Sequence, residues 1–130
     1  MTDDRGAVGI VLAAVAGFVM LLTLALVAVA GIQQARLRAT TAADAAALAA
    51  APVTFLPFGA DGTPTEEAGR FARLNGAALV VCRCAIDRSF APRIAEVRVR
   101  VGLDVPFLGA MSVEATGRAE FVPAALLKSP

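Results

Sequence analysis

A run of 26 residues without a charged side chain, residues 7–32, constrains this chain more than any other feature. A bilayer core needs about 20 apolar residues in a helix, and this run is about 39 Å long at about 1.5 Å per residue. It is therefore predicted to be a transmembrane helix that tilts or protrudes at one end. The rest of the 130-residue chain is too short to bury such a helix inside a soluble domain.

The helix is expected to continue beyond the membrane. No proline follows until Pro52, and residues 33–51 are rich in alanine, the strongest helix former. Small residues recur at spacings of three and four and form one stripe across the membrane boundary: Ala28, Gly31, Ala35, Ala39, Ala42, Ala46 and Ala49. Such a stripe predicts close packing beside other long helices, because small side chains let helix backbones approach. The alternative explanation is that alanine is simply abundant in this chain.

The residues after the helix predict a loop and then a small domain. Residues 52–62 hold two prolines and two glycines, which is typical of a loop. Thr63, Pro64 and Glu66 have the pattern of a helix start with a capping box, and Asn75-Gly76 is a stop signal. Three segments of period-two alternation then predict antiparallel strands. Their expected inward residues are Val80, Cys82, Cys84 and Ile86, then Ala95, Val97, Val99, Val101 and Leu103, then Val113, Ala115, Gly117, Ala119 and Phe121.

The expected fold class is α+β, with the helix after Thr63 covering the apolar face of a three-stranded antiparallel sheet. The expected boundaries are 1–51 for the transmembrane and extended helix, 52–62 for the loop, 63–125 for the small domain and 126–130 for a frayed tail. On the outer face of the sheet, Arg98 and Arg100 are expected opposite Glu114 and Glu120. Such pairs favour strand pairing by about 0.2–1 kcal/mol each.

The composition argues against most kinds of reactive site. The chain has no His, and its 12 basic and 11 acidic residues give a net charge of +1. A histidine-based catalytic or metal site is therefore not expected, and neither is a basic surface for nucleic acid. The glycines do not form a phosphate-binding loop. We expect no enzyme, no cofactor, no metal, no nucleic acid and no small-molecule substrate.

Cys82 and Cys84 are the only reactive pair. On the inward face of a strand they can be small buried apolar side chains, or they can form a disulfide with each other or across chains in an oxidising compartment. A bridge between residues i and i+2 of an extended strand would be strained, because the two Cα atoms lie near the upper limit for a disulfide. Both explanations stay open at this point.

Several strings resemble the TadE/TadG-like pilus-assembly proteins, particularly the short actinobacterial TadE-like branch. They are Asp4-Arg5-Gly6 before the apolar helix, the alanine-rich residues 38–49, and residues 68–77 followed by Cys82. The resemblance covers most of the chain. It implies a pilin-like fold and a minor pilin or pseudopilin of the Tad (Flp, type IVc) pilus or a related secretion apparatus. Such a protein acts by helix packing during assembly.

The resemblance also implies partners and a location. The partners are the membrane, other pilin-like subunits and the Tad membrane platform proteins. The N-terminus is placed in the cytoplasm and the C-terminal domain outside it, although the count of Arg near the two ends of the apolar run mildly favours the reverse. A prepilin peptidase cuts such precursors after a glycine, and Gly6 and Ala7 occupy that position. Val11 stands where many of these precursors carry Glu.

Two other functions are compatible with the residues. One is a membrane-anchored extracytoplasmic binding domain with no role in assembly. The other is a small secreted protein released by signal cleavage after Ala30, since Ala28-Val29-Ala30 has the form of a signal-peptidase site. For the pilin-like protein, an uncut chain and a chain cut between Gly6 and Ala7 are both open.

Overall fold

The computed structural model describes residues 4–55 and 62–128, with side chains for residues 6–55 and 62–127. Its elements in chain order are α1 (Asp4–Val53), α2 (Pro64–Leu74), β1 (Ala78–Arg83), β2 (Arg93–Val105), β3 (Gly109–Phe121) and a 3₁₀ helix (Pro123–Lys128). The three strands form one antiparallel sheet in the order β1-β2-β3. The α+β class, with a long apolar N-terminal helix, a short helix and three antiparallel strands, is confirmed.

The second half of α1 lies at the centre of the folded domain. One face of it is buried, and the residues on that face are alanines: Ala35, Ala39, Ala42, Ala43, Ala46, Ala47, Ala50 and Ala51. This half packs on α2, β2 and β3. Residues 35–53 therefore share one hydrophobic core with the segment 63–125, which was expected to form the domain without them.

The alternation predicted for β2 and β3 is confirmed. The two strands pair without a break from Arg93 opposite Phe121 to Val105 opposite Gly109. The inward residues of β2 are buried or half-buried, and so are those of β3, while their neighbours mostly face solvent. The largest fully buried side chains of the sheet are Val97 and Val99 at the middle of β2. The apolar face of these two strands is covered by α1.

A glycine allows β3 to lie directly against the helix backbone. A Cβ built on Gly117 would be 2.4 Å from both the carbonyl carbon and the carbonyl oxygen of Ala43, and 2.7 Å from the nitrogen of Asp44. No side chain fits at that distance. The alanine face of α1 and Gly117 of β3 therefore remove side-chain bulk from both sides of the same contact. Small side chains bury little apolar area and so contribute little hydrophobic stabilisation. The close approach of the two backbones adds dispersion contacts, which offset part of that loss.

The edge strand β1 differs from its prediction. Its register with β2 shifts between Leu79 and Val81, so one extra residue lies on β1 at this point. Such a bulge moves the alternation by one position. Leu79 and Cys82 are consequently half-buried, whereas Val80, which was predicted to point inward, is exposed. Ile86 lies beyond the end of the strand and is also exposed, so both of these inward assignments were wrong.

The helix start predicted at Thr63 is confirmed. The backbone N–H of Glu66 donates to Oγ1 of Thr63 at 3.2 Å, and the backbone N–H of Thr63 donates to Oε2 of Glu66 at 2.7 Å. Both halves of the capping box are therefore formed. The helix that follows, α2, packs on α1 and β1, and α1 rather than α2 covers the centre of the sheet.

Two predicted boundaries move by a few residues. Helix α1 continues through Pro52 to Val53, so the segment 52–62 begins inside its last turn. Phe55, next to that turn, is buried, and residues 56–61 lie outside the described residues. The 3₁₀ helix Pro123–Lys128 extends into the expected tail 126–130, of which residues 129 and 130 lie outside the described part.

Candidate functional site

The first half of α1 leaves the domain with its apolar side chains exposed. An 18-residue window in this helix has a mean hydropathy of 2.8, and none of that window is buried within the chain. Phe18, for example, is 62% exposed. By length and composition this segment is able to cross a membrane, and a signal sequence near an N-terminus meets the same criterion.

The burial of α1 decreases gradually toward its N-terminus. Among residues 6–34, only Leu24, Ala28 and Ile32 are half-buried, and the others are exposed. A spacing of four places these three residues on one face of the helix, continuous with the buried Ala35 and Ala39. Part of the folded domain therefore extends along α1 toward the N-terminus of the helix, beyond the buried Ala35.

The structure places the seven residues of the small-residue stripe in three environments. Ala35, Ala39, Ala42 and Ala46 are buried by the chain's own α2 and sheet. Ala28 and Ala49 are half-buried and Gly31 is exposed. The four buried alanines thus pack within this chain, whereas the sequence pattern had pointed to the helices of other chains. Periodicity shows that a face is packed, but it does not show which chain packs on it.

The proposed processing position lies at the open end of α1. Gly6 and Ala7 are helical and exposed, and no heavy atom comes within 4 Å of a Cβ built on Gly6. Val11, one turn further on, is exposed as well. The Gly6–Ala7 peptide bond therefore lies outside the folded domain, 28 residues before Ala35, the first buried position of α1.

Cys82 and Cys84 form a disulfide with each other. Their Cα atoms are 5.4 Å apart, within the usual range for a bridge. The expectation of a strained geometry assumed an extended strand through both residues, but β1 ends at Arg83 and Cys84 lies outside the strand. Both residues are half-buried against the core cluster. Among the described residues, no three His, Cys, Asp or Glu side chains lie together as metal ligands.

A cluster around Arg93 closes the end of the domain farthest from the exposed half of α1. The Arg93 guanidinium donates to the backbone carbonyls of Asp87, Ser89 and Ala91 and lies 5.4 Å from the ring centre of Phe55. Hydrogen bonds from the backbone and hydroxyl of Ser89 lower the pKa of Asp87. The sequence alone gave no sign of this cluster, because its acceptors are mostly backbone atoms. It fixes the β1–β2 connection in place.

The outer face of the sheet is a network of charges in register. Arg100 forms an ion pair with Glu114 at 2.7 Å, as predicted. Glu96 pairs with both Arg83 and Arg118 across three strands, an arrangement that the alternation pattern does not predict. The expected role of Glu120 as a partner of this stripe is wrong, since it lies opposite Ile94. Exposed pairs of this kind contribute about 0–1 kcal/mol each and describe a solvated face.

The sequence predicts a turn at residues 106–109 between the last two strands, and the β2–β3 hairpin ends there in an apolar turn. The N–H of Leu108 donates to the carbonyl of Val105 at 3.1 Å, which places Pro106 and Phe107 at the two central positions. Phe107 is 90% and Leu108 69% exposed. Residues 105–113 carry no charge, and this uncharged run is the sequence signal for the apolar character of the turn.

Phe107 has a φ of 68°, in the left-handed region. A turn with proline second and a positive φ third has the pattern of type II, where glycine or asparagine is the usual third residue. A bulky aromatic side chain at this position is an outlier. Fully exposed and held in an unfavourable backbone conformation, Phe107 contributes nothing to the core of the domain.

No protein-family model matches the chain, and neither the curated proteins nor the solved structures include a significant match. The function is therefore inferred from the chain's own residues and their geometry.

Proposed function

We propose that this protein is a single-pass, pilin-like membrane component, a minor pilin or pseudopilin of a Tad/Flp type IVc pilus or a related secretion apparatus. The observation that carries the proposal is the division of α1. One continuous helix is a bare apolar segment in its first half and the spine of a small α+β domain in its second half. A membrane anchor that runs without a joint into a folded domain suits a subunit that must transmit position from the membrane to the domain.

Assembly with other subunits would use the first half of α1. Ala35, Ala39, Ala42 and Ala46 pack against other elements of the same chain. Partner helices would therefore contact α1 closer to its N-terminus. Gly9, Ala13 and Ala16 form a short run of small, exposed residues there, with no heavy atom within 4 Å of a Cβ built on Gly9. Small residues on a lipid-exposed helix are the type that allows helices to pair closely.

The proposed orientation has the N-terminus in the cytoplasm and the domain outside it. The disulfide between Cys82 and Cys84 supports that side, because disulfides persist in oxidising compartments and are rare in the cytosol. The other partners in this proposal are the Tad membrane platform proteins and a prepilin peptidase acting between Gly6 and Ala7. The role is structural, and the proposal includes no catalytic step.

A second candidate is a membrane-anchored binding domain with no role in assembly. The observation that favours it is the internal use of the alanine face, since a helix built only to anchor needs no further contact. One observation on the structure is also compatible with the secreted alternative. A cut after Ala30 would leave every fully buried position of α1 in the released chain, because the first of them is Ala35.

Topology is tested by a reporter that is active only outside the cytoplasm, fused after Leu127. The fusion point lies in the exposed 3₁₀ helix and leaves the core intact. We expect activity from this fusion, and a matched fusion of a cytoplasm-active reporter should be silent. Activity of the cytoplasmic reporter alone would overturn both the localisation and the pilin-like function.

Assembly is tested by a photo-crosslinking residue at Ala13 in the membranes of the native host. We expect adducts with a second pilin-like subunit, identified by mass spectrometry. The matched control places the crosslinker at Leu126, which is exposed at the opposite end of the molecule. A membrane-bound chain without protein adducts at Ala13 would favour the anchored binding domain.

Intact mass separates the remaining outcomes. A membrane chain that begins at Ala7 supports the pilin-like proposal, and an uncut membrane chain points to an assembly factor that never enters a filament. A chain in the culture medium that begins at Gly31 favours the secreted protein.

A further inference from the structure

The β2–β3 hairpin runs back along α1 toward the exposed half of that helix. Where β2 begins, the Arg93 guanidinium donates to the Thr54 carbonyl just after the end of α1, at 3.4 Å. Further along, Gly117, which is paired with Val97, lies against Ala43. The contacts move toward the N-terminus of α1 as β2 proceeds. β2 and α1 are therefore antiparallel.

Strand and helix geometry gives the level at which the hairpin ends. Val105 is eight residues beyond Val97, or about 26 Å along the strand at about 3.3 Å per residue. The same distance from Ala43 corresponds to about 17 residues of helix at about 1.5 Å each, which ends near Leu26. A tilt between strand and helix shortens the projection and moves this level toward Ile32.

The burial of α1 marks the same level independently. Leu24, Ala28 and Ile32 are half-buried, and they lie on the N-terminal side of the buried section of α1. β1 does not reach them, since its first paired residue, Ala78, lies opposite Arg100, well before the end of β2. α2 ends higher up, since Asn75 directly after it lies beside Gln34 and Arg38. The hairpin is therefore the element whose length reaches the level of Leu24 and Ala28. Its last inward residue, Val105, is itself buried.

This level coincides with a membrane surface if α1 spans the bilayer, a step that rests on the anchoring role proposed above. About 20 helical residues cross a bilayer core. Counted from Ala7, at the start of the apolar run, the core ends near Leu26. The turn at residues 106–108 then lies beside the helix where the helix emerges from lipid.

We propose that the hairpin turn inserts into the bilayer surface beside α1 and forms a second membrane contact. Phe107 and Leu108 present exposed apolar side chains to it, and the exposed apolar surface of α1 continues directly into the same region. Phe and Leu are among the side chains that interfacial segments bury at the boundary between headgroups and acyl chains. Asp104, exposed two residues before the turn, limits insertion to the turn itself.

Lipid fits this turn better than a protein partner does. A stable protein interface buries about 800 Å² on each side, and a four-residue turn offers far less than that. Insertion also accounts for an aromatic residue in a left-handed conformation, where glycine is the usual residue. Two contacts, one through α1 and one through the turn, hold the domain at a fixed tilt and rotation on the membrane.

The chain has no Trp, so a single introduced Trp reports on one position. Three variants of the full chain, Phe107→Trp, Phe18→Trp and Leu127→Trp, are reconstituted in phosphatidylcholine–phosphatidylglycerol nanodiscs with and without brominated acyl chains. Leu127 is 74% exposed in the 3₁₀ helix, at the opposite end of the sheet, and is the matched control. We expect bromine to quench the Trp at 18 and the Trp at 107, and to leave the Trp at 127 unchanged.

The other outcomes separate the hairpin from the anchor. Quenching at 18 without quenching at 107 overturns the insertion of the hairpin and leaves the anchor standing. Absence of quenching at both positions overturns both. A Trp at 107 whose emission shifts to the blue with increasing protein-to-disc ratio, without bromine quenching, shows contact with a second copy of the chain and also overturns insertion.

Discussion

Gly117 shows at the residue scale how an alanine-rich helix can form a core. Replacing it with Ala would place a Cβ 2.4 Å from the Ala43 backbone, so the helix and β3 must separate. Overpacking of a core usually costs about 1–3 kcal/mol, and two backbones yield less easily than side chains. We expect Gly117→Ala to lower the free energy of unfolding by at least about 2 kcal/mol, measured by thermal unfolding in detergent and followed by circular dichroism.

Gly102→Ala is the matched control for Gly117→Ala. Gly102 also lies in a strand, but no heavy atom comes within 4 Å of a Cβ built there. Its substitution should change the stability by less than about 0.5 kcal/mol. Equal losses for the two variants would mean that the contact between β3 and α1 is looser than the structure shows.

Phe107 is the residue at which stability and the proposed membrane contact are in conflict. A left-handed conformation costs a residue other than glycine about 1–2 kcal/mol. Glycine avoids this cost, but it loses more conformational entropy on folding, which offsets part of the gain. We expect Phe107→Gly to stabilise the domain by up to about 1 kcal/mol in detergent. Leu108→Gly, at a position without positive φ, should be neutral or destabilising. A destabilised Phe107→Gly variant would show that Phe107 packs on the domain.

At the element scale, sequence patterns predicted the regular elements and missed those that depend on a neighbour. The alternation of β2 and β3 and the capping box of α2 are local, because each follows from the spacing of its own residues. The bulge at Val80 depends on the register with β2, and no residue of β1 records it. The partner of the alanine face is likewise set by the rest of the fold. A stripe of small residues is the same whether the helix packs within its chain or on another.

The capping box of α2 predicts a dependence of stability on pH. Hydrogen bonds from Thr63 lower the pKa of Glu66 from its ordinary value of 4.5. A lowered folded-state pKa contributes stability above pH 4.5, which is lost as the pH falls through the folded-state value. We expect the free energy of unfolding to decrease below about pH 4.5, measured by chemical denaturation between pH 3 and 7.

Substitution separates the contribution of Glu66 from that of Asp87, whose pKa is also lowered. Glu66→Gln keeps the cap, since glutamine can fill the same position in a capping box, and it should flatten the acid limb of the stability curve. Asp87→Asn should leave the Glu66 part of that limb in place. An acid limb unchanged by Glu66→Gln would exclude the capping box as its source.

On the scale of the whole molecule, the exposed apolar half of α1 can be predicted from the sequence and the position of the hairpin cannot. Hydropathy alone predicts the exposed half of α1, because a run of 26 uncharged residues is a one-dimensional signal. The level of the turn at residues 106–108 follows only from the direction of β2 against α1, the contact of Gly117 and the length of the hairpin. These are three-dimensional quantities, so sequence patterns assigned those residues no role beyond a turn.

The division of α1 also predicts what remains when its exposed apolar half is removed. A chain that begins at Gly31 keeps Ile32 and every fully buried position of α1, and it loses only the half-buried Leu24 and Ala28. We expect it to be soluble and to unfold in one cooperative transition, measured by circular dichroism and analytical ultracentrifugation. A chain that begins at Ala43 lacks three buried alanines of the spine and should not fold. If the chain beginning at Gly31 is also unfolded, the N-terminal half of α1 belongs to the core of the domain, and the proposed anchor cannot be separated from the domain.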